Sequence, residues 1–160
     1  MNLTMVAVVV GKFLVFAGLI SAAANDVASR IIPNWLVLVV GGGGVIVRLA
    51  AAERHGMWAS AGAAGILFVA LRLLSGFGVL GGGDVKLLAA ATLGQPPAAM
   101  PQILLAIGVA GGGIAVFYLM RDRLRRRTEG EVGVTSRREM PYAPAILAGV
   151  VWHELWDLAT

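Results

Sequence analysis

The sequence of 160 residues contains no cysteine, so disulfides, thiolate metal sites and cysteine nucleophiles are all excluded. It has two histidines and little charge: Lys, Arg, Asp and Glu together supply 14% of the residues, against about 25% in an ordinary soluble domain. A soluble fold of this size would lack the polar surface to cover the 58% of residues that are hydrophobic. What the chain has instead is a series of apolar runs that approach the roughly 30 Å hydrocarbon thickness of a bilayer. The composition implies an all-α, polytopic integral membrane protein, and the length implies one domain over residues 1–160. No fixed-period repeat is evident.

The apolar runs predict helices over 3–24, 34–52, 57–74, 101–120 and 142–158, with a shorter helix over 84–93, about six in all. The short one is bounded by glycines 81–83 and by Pro96-Pro97. Ten or eleven residues of helix rise only about 16 Å, roughly half the hydrocarbon thickness. If its far end reaches the opposite interface, its Asp84 end must lie sunk below the near surface. Glycine runs at 41–44 and 111–113 fall inside predicted helices, where small residues let neighbouring backbones approach. The run at 81–83 is expected to form a loop in front of the short helix.

Seven of the thirteen basic residues lie between Arg121 and Arg138. Segments rich in Lys and Arg stay on the cytoplasmic side, so 121–141 is predicted to be a basic cytoplasmic loop. With the N-terminus outside, Arg30 and Lys86 are also expected to face the cytoplasm, and the outer loops hold Arg54, with Arg48 as a second candidate. The basic loop suits anionic lipid headgroups; it has no aromatic residue on which bases could stack, which argues against nucleic acid. Lys12 lies inside the first helix and needs a partner that the sequence does not name. Ser21-Ala22-Ala23-Ala24 resembles a signal-peptide cleavage site, but the first ten residues carry no positive charge, so an uncleaved first helix is expected.

Ionisable groups in membrane segments are costly and are functional candidates by default. Of the nine acidic residues, Glu53 falls in an outer loop, Asp122, Glu129, Glu131 and Glu139 in the basic loop, and Glu154 and Asp157 near the C-terminal end. That leaves Asp26 and Asp84, each at the edge of an apolar segment on the predicted cytoplasmic side. Two carboxylates at one face suit aspartyl proteolysis, in which one draws a proton from water and the other, protonated, polarises the scissile carbonyl. The same pair also suits a proton relay in a non-enzymatic transporter subunit. Singly, Asp84 also suits an N-cap and Asp26 the end of the first helix. His153-Glu154-Leu155-Trp156-Asp157 has the outline of a zinc-protease helix, but zinc catalysis needs three protein ligands and no third is evident.

The surroundings of the two aspartates distinguish these readings. Gly81-Gly82-Gly83-Asp84 matches the Gly-x-Gly-Asp signature of intramembrane aspartyl proteases. Asp26, followed eight residues later by Asn34 of Ile32-Pro33-Asn34, resembles the prepilin peptidase pattern, as do Lys86 and Met140-Pro141-Tyr142-Ala143-Pro144. A presenilin-like branch is disfavoured, because Asn25 precedes Asp26 and the chain is short. The sequence is most similar to the small prepilin peptidases of tight-adherence (Flp-type) pili. That resemblance implies a multi-pass enzyme of the bacterial inner membrane, with Asp26 and Asp84 catalytic and Gly81, Gly83, Lys86, Pro33 and Asn34 supporting them. Its substrate would be a prepilin or pseudopilin with a short basic leader, cut on the cytoplasmic side. Larger family members N-methylate the product and carry paired cysteines; lacking these, the chain is not expected to do so. Pro33 and Asn34 also read as ordinary helix-start residues, and Arg30 and Lys86 as interfacial anchors or as partners for an acidic group near the cleaved bond. No cofactor or metal is implied, so chelators should leave activity intact, and strong inhibition by a zinc chelator would overturn the aspartyl assignment.

Overall fold

The computed structural model describes residues 2–51, 54–76, 80–129 and 141–159. Among these, every regular element is a helix: α1 (Leu3–Ser29), α2 (Asn34–Ala50), α3 (Arg54–Ser75), α4 (Gly82–Leu93), α5 (Met100–Glu129) and α6 (Ala143–Ala159), with a short 3-10 turn at Pro97–Ala99. Three segments are long and apolar enough to cross a membrane, Leu3–Ser29, Gly56–Ser75 and Pro97–Arg121, and α2 is a shorter apolar helix. The chain is a helical membrane protein.

Burial supports that class. Phe13, Leu38, Trp58, Ile66, Leu105 and Phe117 all stand exposed, while Asp26, Arg48, Ser60, Thr92 and His153 are buried. Lipid tails accept an apolar exterior, whereas polar groups need the protein interior. The core is built from Leu19, Leu36, Val40, Leu87, Ile103, Ile107, Ile146 and Val150.

The glycines let the helices approach. A Cβ at Gly11 would come within 2.8 Å of the Gly43 carbonyl oxygen, and one at Gly44 within 2.8 Å of the Gly94 nitrogen. The run at 41–44 therefore serves two neighbours, α1 through Gly43 and the end of α4 through Gly44. In α5 the run at 111–113 is used unevenly: Gly111 lies under the Tyr142 ring, while Gly112 and Gly113 meet nothing within 4 Å. Gly149 of α6 packs on Ile107 of α5, where a Cβ would lie 2.2 Å from Ile107 Cγ1. Such contacts substitute for the hydrophobic drive that lipid does not supply between helices.

Three boundaries differ clearly from the sequence expectation. The first helix continues through Asp26 to Ser29, because Asn25 Nδ2 and Ser29 Oγ donate to the carbonyls of Ser21 and Asn25 one turn back, both at 2.9 Å. These polar side chains are satisfied by the helix itself, which was expected to end before them. The helix stops at Arg30, in the left-handed region at φ 57°, whose N–H donates to the Asp26 carbonyl at 3.0 Å. In the glycine run, Gly82 and Gly83 form the first turn of α4 and only Gly81 stands outside, as its extended N-cap. α5 also runs past Met120 to Glu129, so the first half of the expected basic loop is helix; residues 130–140 lie outside the described part. Arg48 is a buried residue of α2, and no loop residue.

Candidate active site

Asp26 sits in the last turns of α1 and is 6% exposed. Its Oδ2 accepts a hydrogen bond from the backbone N–H of Ala143 at 2.9 Å. Ala143 opens α6, and the first N–H groups of a helix have no partner within it. A carboxylate is a strong acceptor there and meets the positive end of the helix dipole. Asp26 thus ties α1 to the start of α6.

Asp84 occupies the first turn of α4 and is half-buried, with Oδ1 shielded from solvent. Its other oxygen folds back over the helix start: a Cβ at Gly81 would lie 2.9 Å from Asp84 Oδ2. Gly81 therefore leaves room for the carboxylate. A Cβ at Gly83 would come within 3.3 Å of Ile32 Cβ, so Gly83 lets the connection between α1 and α2 rest on the first turn of α4. Gly83 does this from within the helix and forms no loop.

The entry to α6 lies near both aspartates. Tyr142 immediately precedes Ala143 and is half-buried, with its ring on Gly111 of α5 and its phenol within electrostatic reach of the Asp84 carboxylate. Asp26 binds the Ala143 N–H while Asp84 lies close enough to act electrostatically on Tyr142, so two adjacent residues link the carboxylates. Gly111, beneath the Tyr142 ring, lies ten residues before Arg121, which is roughly 15 Å of helix. The site is recessed below the basic end of α5.

The remaining residues singled out in the sequence divide clearly. Lys86 Nζ donates to Asn34 Oδ1 at 3.1 Å, joining α4 to the start of α2, and Pro33 is the extended N-cap of α2. Arg30 is half-buried at the end of α1, and its Nη1 is shielded, with no hydrogen-bond partner among the described residues. A non-glycine residue with positive φ is uncommon and often marks a constrained functional region. His153 is buried on α6 and has Asp157 Oδ2 at 3.6 Å one turn on. Among the described residues no three His, Cys, Asp or Glu side chains gather as metal ligands. Sequence reasoning left out Tyr142 and the Ala143 N–H as site groups. The signal was the proline-flanked Pro141-Tyr142-Ala143-Pro144, which suggests a fixed helix entry but not what it faces.

An apolar groove of about 440 Å³ is lined by Val27, the residue after Asp26, and by Ile114, Phe117, Tyr118, Pro141 and Pro144. It lies between the end of α1, the middle of α5 and the entry to α6. No curated protein and no solved structure gives a significant match to the chain. The family model for type IV leader peptidases does match, over residues 13–116, a stretch that contains both aspartates and all of α2, α3 and α4, and the chain therefore belongs to the type IV leader peptidase family.

Proposed function

We propose that this leader peptidase is an aspartic endopeptidase of the bacterial inner membrane, with Asp26 and Asp84 as its catalytic pair and an active site facing the cytoplasm. The observation that supports the reading is the Asp26 carboxylate on the Ala143 N–H, with Asp84 at the neighbouring start of α4 and within electrostatic reach of Tyr142. One carboxylate takes a proton from water as the oxygen attacks the scissile carbonyl carbon. The other, protonated, gives its proton to the carbonyl oxygen. Collapse of the tetrahedral species breaks the C–N bond, and the departing amine takes a proton from the pair. The recess below Arg121 keeps this chemistry in a partly dry cleft, where electrostatic effects are stronger.

The substrate in this reading is a prepilin-type precursor of a tight-adherence pilus, with a leader joined to an apolar helix. The apolar groove beside Val27 suits the start of that helix, because Pro141 and Pro144, which flank Tyr142-Ala143, line it and it is open on the lipid side at Phe117. Of the two basic residues considered for an acidic group near the cleaved bond, Lys86 is engaged by Asn34, whereas Arg30 keeps a shielded Nη1 with no hydrogen-bond partner among the described residues. Arg30 is the better candidate. The basic end of α5 faces the cytoplasm and its anionic headgroups in this orientation. N-methylation of the product is not part of the proposal.

The test is a size-shift assay of a candidate precursor in membranes. The intact protein should convert it, and neither Asp26→Ala nor Asp84→Ala should, while both variants remain inserted. Conversion by both variants would remove the aspartyl reading and return weight to a proton relay.

A further inference from the structure

A second polar cluster lies at the end of the bundle opposite the aspartates. Lys12 of α1 forms an ion pair with Glu154 Oε2 of α6. The other oxygen, Oε1, accepts from Gln95 Nε2 at 3.3 Å. Gln95 in turn receives the hydroxyl of Ser60, from α3, on its backbone carbonyl at 2.8 Å. Gln95 follows Gly94, the C-cap of α4, which abuts Gly44 of α2 so closely that a Cβ would lie 2.7 Å from the Gly44 Cα. Four helices thus hold the two residues at the base of α4.

Helix arithmetic relates this cluster to the aspartates. Lys12 and Asp26 are fourteen residues apart on α1, and Ala143 and Glu154 eleven apart on α6. At 3.6 residues per turn each pair falls nearly on one face, separated by roughly 21 Å and 16 Å along its helix. α1 and α6 are therefore joined twice along facing edges, by Asp26 with the Ala143 N–H and by Lys12 with Glu154. Gln95 hangs α4 from the second junction, and Asp84 stands eleven residues above it.

We propose that Glu154 is a positioning residue that, through Lys12 and Gln95, sets the height of α4 and so the placement of Asp84 against Asp26. This rests on reading the two aspartates as the catalytic pair. α4 is a half-length helix, and its other end carries the reacting group. A helix of that length can slide along its axis unless one end is fixed. The fixing contact is charged and lies among apolar helices, where removing one partner strands the other in a medium that solvates it poorly.

The absence of native cysteine permits a direct measurement. Gly82 is exposed and a Cβ there meets nothing within 4 Å, so Gly82→Cys reports the depth of the first turn of α4. Alkylation of that thiol by a membrane-impermeant maleimide is compared in the otherwise intact protein, in Glu154→Gln, in Lys12→Met and in the exchange Lys12→Glu with Glu154→Lys. Each single change should alter the alkylation rate several-fold and, without the reporter, lower kcat roughly 10- to 100-fold with KM little changed. The exchange should restore both, since the Gln95 amide can turn its oxygen toward a lysine. Unchanged alkylation in the single variants, or no recovery in the exchange, would overturn the proposal. A shifted and rescued alkylation rate alongside cleavage by Asp84→Ala would leave the anchoring intact and remove the catalytic reading.

Discussion

Asp26→Asn should give a folded, membrane-inserted protein that cleaves roughly 10²–10⁴-fold more slowly, the range for loss of a positioned acid or base. Asp26→Ala should lose stability as well. The distinction follows from the hydrogen bond to the Ala143 N–H at 2.9 Å. An asparagine oxygen can still accept it, whereas alanine leaves a buried donor without a partner, at a cost of about 1–3 kcal/mol. Asp84→Asn should match Asp26→Asn in activity. Precursor conversion rates and thermal unfolding in detergent, measured on all three proteins, separate the two effects. An Asp26→Asn variant that cleaves at the intact rate would reduce Asp26 to a helix cap.

Gly149→Val is the second change with a large expected effect. A Cβ at 149 would lie 2.2 Å from Ile107 Cγ1 and 2.9 Å from the Ile107 backbone nitrogen. The side chain of Ile107 is itself buried in the core, so turning it aside does not relieve the clash with the backbone. α5 and α6 must separate, and overpacking of this kind typically costs about 1–3 kcal/mol. Movement of α6 also carries Ala143 away from Asp26, and a misplacement of about 1 Å can cost on the order of 10²-fold in rate. Gly112→Val on α5 is the control, because its Cβ would meet nothing within 4 Å. The expected result is a lowered melting temperature and weak cleavage for Gly149→Val, with both near normal for Gly112→Val. Equal behaviour of the two would show that α5–α6 contact does not govern the site.

Much of this was legible from residues alone, for reasons that also explain what was not. Hydrocarbon thickness forces long apolar runs, so the helices stand out in the sequence. Their faces do not, because lipid and protein interior are both apolar: Leu19 is fully buried and its neighbour Ile20 is 56% exposed, yet hydropathy treats them alike. Asp26 and Asp84 stood out because charge is scarce in such segments. The extension of α1 through Asp26 was hidden, since Asn25 and Ser29 resemble a helix end until their bonds to the preceding turn are seen. The partner of Lys12 was illegible because Glu154 lies 142 residues away and was grouped with the chain's polar end. Only the antiparallel packing of α1 and α6 brings them together.

α6 takes part at both ends, yet it lies wholly outside residues 13–116, the stretch by which the family is recognised. A sequence that kept that stretch and lost its last helix would still display both aspartates and the glycine motif. Its Asp26 would have no Ala143 N–H to hold, and its Lys12 no Glu154. Judging whether a relative of this protein is a working enzyme or a remnant therefore requires inspecting the final helix, where the motif itself gives no information.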